Sequence, residues 1–135
     1  MMSAKAIVQQ MLNHDLFSQW LDINIDEILE GKCTISMKVN GQMTNGFKIA
    51  HGGITYCLAD SCAAFTANSF GKIAVTKESK IKYLKKVFNG DKLSASCVTS
   101  VNEKKNLEVS IENQDNELIA VYSCQIHYTS KHWTV

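Results

Sequence analysis

A single long helical pattern, from about Gly52 to Asn68, is followed by strand signals alone. Ile54, Cys57, Leu58, Ser61, Cys62 and Phe65 recur at i, i+3, i+4 and i+7 spacing, which marks one face of a helix. Gly71 stands where a helix-terminating glycine belongs. Beyond it, Ile73 and Val75 open a strand that continues through Ile81, Tyr83 and Val87. After the Asn89-Gly90-Asp91 turn, Leu93, Ala95, Cys97, Thr99 and Val101 alternate. Leu107, Val109 and Ile111 follow the turn at 102–106, and a last strand runs from about Glu117 to Tyr128. Strands joined by such short turns pair antiparallel. One helix must then cover the apolar face of their sheet, so the expected class is α+β, a single antiparallel sheet wrapped around a central helix.

The first third of the chain fits that plan. Residues 3–14 read as a helix with Ser3 as N-cap, and Phe17, Trp20 and Leu21 as a second short helix or turn. Residues 22–40 read as two strands turning at Glu30-Gly31, with Cys33, Ile35, Met37 and Val39 alternating in the second. The polar segment at 41–51 contains Asn45-Gly46 but is too long for a two-residue hairpin turn. With 135 residues and no linker or repeat, one domain is expected from end to end.

Composition narrows the function classes. A net charge of +1 gives no reason to expect a nucleic-acid partner or an anionic membrane surface. No apolar run approaches a membrane span, and Met1 to Leu12 lacks a secretory pattern, so the default location is cytoplasmic. Five cysteines without a CxxC pair suggest free, buried thiols rather than disulfides or a metal site. The tail from His132 to Val135 carries no signal and reads as mobile.

The chemistry concentrates at the start of the long helix, where the sequence runs from Asn45 through His51-Gly52-Gly53 to Asp60. A helix N-terminus offers unpartnered N–H groups and partial positive charge, and glycine lets another group approach them. Such an end can polarise a carbonyl. Asp60 lies mid-helix on a face with Gly53, Tyr56, Ala63, Ala64 and Ala67, where a ligand or a second chain could approach closely. Spacing alone leaves two readings open: a working carboxylate, or an acid on a solvated face.

Three stretches in order resemble the PaaI-type (phenylacetic acid degradation) hotdog-fold acyl-CoA thioesterases: NGFKIAHGGITYCLADSCAAFTANSFGKIAV, IKYLKKVFNGDKLSAS and ELIAVYSCQIH. The likeness runs from about Asn45 to Tyr128. It implies a hotdog fold and hydrolysis of an acyl- or aryl-CoA, phenylacetyl-like by preference, to free acid and CoA. It further implies Asp60 as nucleophile or general base and the Gly52 N–H as oxyanion donor. Asn45 would help hold the water or the carboxylate, and Thr76 would position the water. His51, with Gly53 beside it, would shape the loop or contact substrate; Tyr56 and Phe47, by residue type alone, either line an acyl pocket and contact substrate or are ordinary packing. Sites in this family lie at a dimer interface, so Asp60 would work with Gly52 of a second copy, in a homodimer and commonly a dimer of dimers. Neither a metal nor a cofactor is implied, since CoA is part of the substrate.

One departure stands out. Relatives commonly carry proline shortly after the Tyr-Leu pair, whereas here Tyr83-Leu84 is followed by Lys85-Lys86. These lysines either meet CoA phosphates or guard a strand end against aggregation. Two other readings of the chain compete with hydrolysis. Hydration or dehydration of acyl thioesters would need a catalytic histidine, for which His51 is the nearby candidate. A non-catalytic acyl-CoA binding or sensing module would need no turnover at all.

Overall fold

The computed structural model describes all residues from Met1 to Val135. Helix α1 (Ala4–His14) begins where Ser3 Oγ accepts from Ala6 N at 3.1 Å. Asp15 caps the five-residue α2 (Leu16–Trp20) in the same way, accepting from Ser18 N. Strands β1 (Asn24–Leu29) and β2 (Lys32–Lys38) form the first hairpin. Its turn uses Gly31 at φ +76°, where an added Cβ would lie 2.6 Å from Thr99 O, so only glycine fits. After a short 3-10 turn at Gly41–Met43 comes α3 (Gly52–Asn68). Strands β3 (Lys72–Tyr83), β4 (Lys92–Val98), β5 (Asn106–Glu112) and β6 (Leu118–His132) complete the chain.

All six strands form one antiparallel sheet in the order β1-β2-β4-β5-β6-β3. It wraps α3, which touches β2, β3, β4, β5 and β6. This is the expected helix inside an antiparallel sheet. A single core cluster joins Leu58, Cys62 and Phe65 of α3 to Ile35, Leu93, Val109 and Ile126 of the strands.

The wrap changes which residues of α3 are buried. Ile54, Cys57 and Ser61, expected in the apolar face, are only half-buried. Ala59, Ala63 and Ala67 are fully buried instead. A curved sheet meets a helix over a wide arc, and small side chains let the backbones come close there. Ala63 and Ala67 are thus under this chain's own sheet and not on a surface open to a second chain. Gly53 is exposed, and Tyr56, Asp60 and Ala64 are half-buried along with Ile54, Cys57 and Ser61.

Strand boundaries bring three further corrections. The strand after α3 ends at Tyr83, short of Val87, because Leu84 and Lys85 both turn their N–H groups to Ile119 O. Val87 is buried in the following loop, where its carbonyl accepts from Ala50 N. The strand expected to reach Val101 stops at Val98, and Thr99 N donates to Gly31 O. The tail read as mobile is fastened: β6 continues to His132, Trp133 N donates to Gly71 O, and Trp133 Nε1 donates to Asn68 Oδ1.

Two features of β3 position the site. It pairs only with β6, so its other edge is unpaired within the chain. A bulge at Lys77 resets its alternation. Thr76, Ser79, Ile81 and Tyr83 then stand opposite Ile126, Cys124, Tyr122 and Ala120, all on the face turned toward α3.

Candidate active site

Helix α3 opens with His51 as N-cap, its Nδ1 accepting from Gly53 N at 3.3 Å. Gly52, the first helical residue, has no intrachain acceptor for its N–H, as the first turn of a helix leaves it. The Tyr83 hydroxyl donates to Gly52 O at 2.9 Å. A Cβ at Gly52 would lie 3.0 Å from that same hydroxyl oxygen, so a side chain there would push the tyrosine tip aside. A cavity of about 320 Å³ adjoins this helix end and is lined by Asn45, Gly52, Thr55, Tyr83, Lys85 and Lys86.

Several expected residues thus meet at the helix N-terminus. Asn45 is half-buried there, its Oδ1 accepting from Phe47 N at 2.9 Å and shaping the loop. Lys85 is ion-paired with Glu117, while Lys86 is exposed beside it. Phe47 is not brought in: it is 86% exposed at the loop tip and lines none of this cavity. A larger hollow of about 490 Å³ lies over β3, β5 and β6, lined by Glu78, Lys80, Glu108 and Gln125 among others, and holds none of the expected residues.

Asp60 sits eight residues further along α3, half-buried. At 1.5 Å per residue it is roughly 12 Å up the helix from Gly52. One thioester carbonyl cannot span that distance, so within one chain the two groups do not converge. Asp60 is not a solvated acid either. Tyr122 Oη of β6 donates to Asp60 Oδ1 at 2.6 Å, and the Tyr122 ring is fully buried. Burial first, and then the bond to Asp60, hold the Tyr122 hydroxyl far above the ordinary tyrosine value, so it remains a donor. Cys57 is also pushed up, by burial and then by the Asp60 charge.

Tyr56 lies between these groups. Its ring meets Tyr122 edge-on, with centroids 5.3 Å apart at 83°, and its hydroxyl is hydrogen-bonded to Ser79 Oγ of β3. Thr76 lies on the same α3-facing side of β3 as Ser79, is exposed, and makes no bond to Asp60 within the chain.

Tyr122, Tyr83 and Ser79 were not foreseen as site residues. A signal for Tyr122 existed. It occupies an inward position of an alternating strand, and a buried tyrosine hydroxyl requires an acceptor. Pairing it with Asp60 needed the register between α3 and β6, which no local pattern supplies.

Comparison with known proteins agrees with the helix-in-sheet fold. The thioesterase superfamily model matches residues 47–120, which include His51, Gly52, Asp60 and Thr76. A protein of Archaeoglobus fulgidus is 34% identical over 113 residues, covering 82% of this chain and 73% of that one. The acyl-coenzyme A thioesterase PaaI of Escherichia coli is 32% identical over 119 residues, covering 87% of this chain and 85% of that one. The solved structure of E. coli PaaI superposes with a TM-score of 0.91 at 30% identity, over 97% of this chain and 96% of that one. A Streptococcus mutans protein solved bound to acetyl-CoA matches with a TM-score of 0.75 at 26% identity, over 82% and 91%. With its helix-in-sheet fold, its open His-Gly-Gly helix end and its tethered mid-helix acid, the chain belongs to the thioesterase superfamily, among the PaaI-type hotdog enzymes.

Proposed function

We propose that this protein hydrolyses an acyl- or aryl-CoA thioester to the free acid and CoA, with Asp60 as its catalytic carboxylate. The observation that carries the reading is the state of Asp60: a half-buried, mid-helix acid held by a buried tyrosine and paired with no cation. Keeping a carboxylate with no cationic partner away from full solvation costs stability, and carboxylates held that way cluster at functional sites.

The site is composite. The ~12 Å between Gly52 and Asp60 along one helix is bridged if two copies pair through the free β3 edges, setting their α3 helices side by side. The Gly52 N–H of one copy then faces Asp60 of the other, in a homodimer that can pair again into a dimer of dimers. The Gly52 N–H binds the thioester oxygen as negative charge develops, a contact typically worth about 10²–10³-fold in rate. Asp60 takes a proton from water as that water attacks the carbonyl carbon. Alternatively, it attacks directly, expelling CoA thiolate and leaving an acyl anhydride for water to cleave. Asn45 and Thr76 orient the water or the carboxylate. His51 and Gly53 shape the oxyanion loop, and Lys86, with Lys85, faces the CoA phosphates.

A phenylacetyl-like acyl group is favoured. E. coli PaaI comes from a phenylacetic acid degradation operon, and Tyr56 offers an aromatic face next to Asp60, with Phe47 free to reach across to a neighbouring copy. No metal or cofactor is needed, because a thioester is already activated, and the reaction suits a cytoplasmic enzyme.

Release of free thiol from a panel of aryl- and alkyl-CoA esters tests the reading. Native protein should turn over aryl esters, and Asp60→Asn should lose at least ~10²-fold in kcat. Binding of CoA esters without thiol release from any of them would make the protein a binding or sensing module instead.

A further inference from the structure

We propose that Tyr122 is the positioning residue for Asp60, fixing Oδ1 so that Oδ2 alone meets the reacting group; the inference rests on the reading of Asp60 above. The 2.6 Å bond between Tyr122 Oη and Asp60 Oδ1 has the length of a charge-assisted hydrogen bond. Its donor cannot swing away. The Tyr122 ring is fully buried on the inner face of β6, opposite Ile81 of β3 and Val109 of β5. The Tyr56 ring closes over it edge-on and is itself tied to Ser79.

An aspartate side chain has two torsions, and a fixed donor on one oxygen removes most of that freedom. The bond pins Oδ1 against β6, so Oδ2 is the oxygen that takes the proton from water or attacks the thioester carbon. Tyr122 loses no proton in either step. Burial keeps its hydroxyl protonated well into the alkaline range, so the anchor holds wherever the carboxylate is charged.

A merely structural bond makes a different prediction. A buried tyrosine hydroxyl needs some acceptor, and Asp60 could be no more than that. Tyr122→Phe would then leave kcat unchanged.

The test compares native protein, Asp60→Asn, Tyr122→Phe and the double variant, using phenylacetyl-CoA or whichever panel ester the native protein cleaves fastest. Tyr128→Phe serves as control, since it removes another β6 hydroxyl, one that donates to Lys104 O. Thermal unfolding of each variant accompanies the kinetics, and phenylalanine keeps the buried ring in place. Tyr122→Phe should lower kcat roughly 10–10²-fold with KM unchanged. Tyr128→Phe should keep native kcat, and the double variant should match Asp60→Asn, because the hydroxyl acts only through the carboxylate. Native kcat in Tyr122→Phe, a change in KM alone, or an equal further loss in the Asp60→Asn background would each overturn the inference while leaving the role of Asp60 intact. Full activity in Asp60→Asn, or no thiol release by the native protein, would remove the reading of Asp60 and this inference together.

Discussion

Asn68, the last residue of α3, fixes where β3 leaves the helix, and Asn68→Ala tests how much the fold depends on it. The side chain is 1% exposed. Its Nδ2 donates to Ala64 O at 2.8 Å and to Ala74 O at 3.1 Å. Its Oδ1 accepts from Ala74 N at 2.9 Å and from Trp133 Nε1 at 2.8 Å. Alanine there removes the side-chain partner of both polar groups of Ala74, which lie in buried surroundings. Leaving a buried group unpaired costs about 1–3 kcal/mol, so two groups with some relaxation give about 3 kcal/mol. For a domain of this size, at roughly 3–5 °C per kcal/mol, Tm should fall by on the order of 10 °C. Trp133→Phe removes a single donor from the same oxygen and should cost about 1 kcal/mol, a third of that drop. Far-UV circular dichroism melts at one fixed protein concentration measure both, since association shifts Tm. An Asn68→Ala Tm within about 2 °C of native would refute the reasoning, as would equal losses in the two variants.

Two further outcomes follow from the same contacts. Gly52→Ala places a methyl 3.0 Å from the Tyr83 hydroxyl; Tyr83 is half-exposed and can shift, so stability should change by less than about 1 kcal/mol, while the methyl crowds the space beside the Gly52 N–H and lowers kcat about 10²-fold in the thiol-release assay. Full activity in that variant would show that no thioester oxygen needs the space the methyl fills. The buried thiols predict an alkaline weakness. Burial, as the main cause, raises Cys97 from 9.0 to about 11, and burial likewise raises Tyr128 from 10.0 to about 12. Above pH ~9 the unfolded chain has released protons that the native state keeps, so this stabilisation is complete below pH ~9 and is lost as pH rises toward ~12. Urea midpoints should decline from about pH 9 upward, and flat midpoints to about pH 11 would contradict the assignment.

Hydrophobic periodicity and turn residues determined much of this protein before any tertiary contact was known. The helix at Gly52–Asn68, the Ser3 cap, the hairpin at Gly31 and the strand order along the chain all follow from local patterns, because burial periods and turn dihedrals are local properties. The sequence also singled out Asp60 and the His-Gly-Gly helix end, but spacing left the role of the acid open, and only the resemblance to PaaI-type thioesterases assigned it one. Tertiary structure decided everything that depends on register between distant elements. It turned Ala63 and Ala67 inward, because a curved sheet covers more of α3 than a flat one. It fastened Trp133 to Asn68 across 65 positions and brought Tyr122 to Asp60 across 62. Spacing along a chain names the chemical groups, but only packing decides which of them meet.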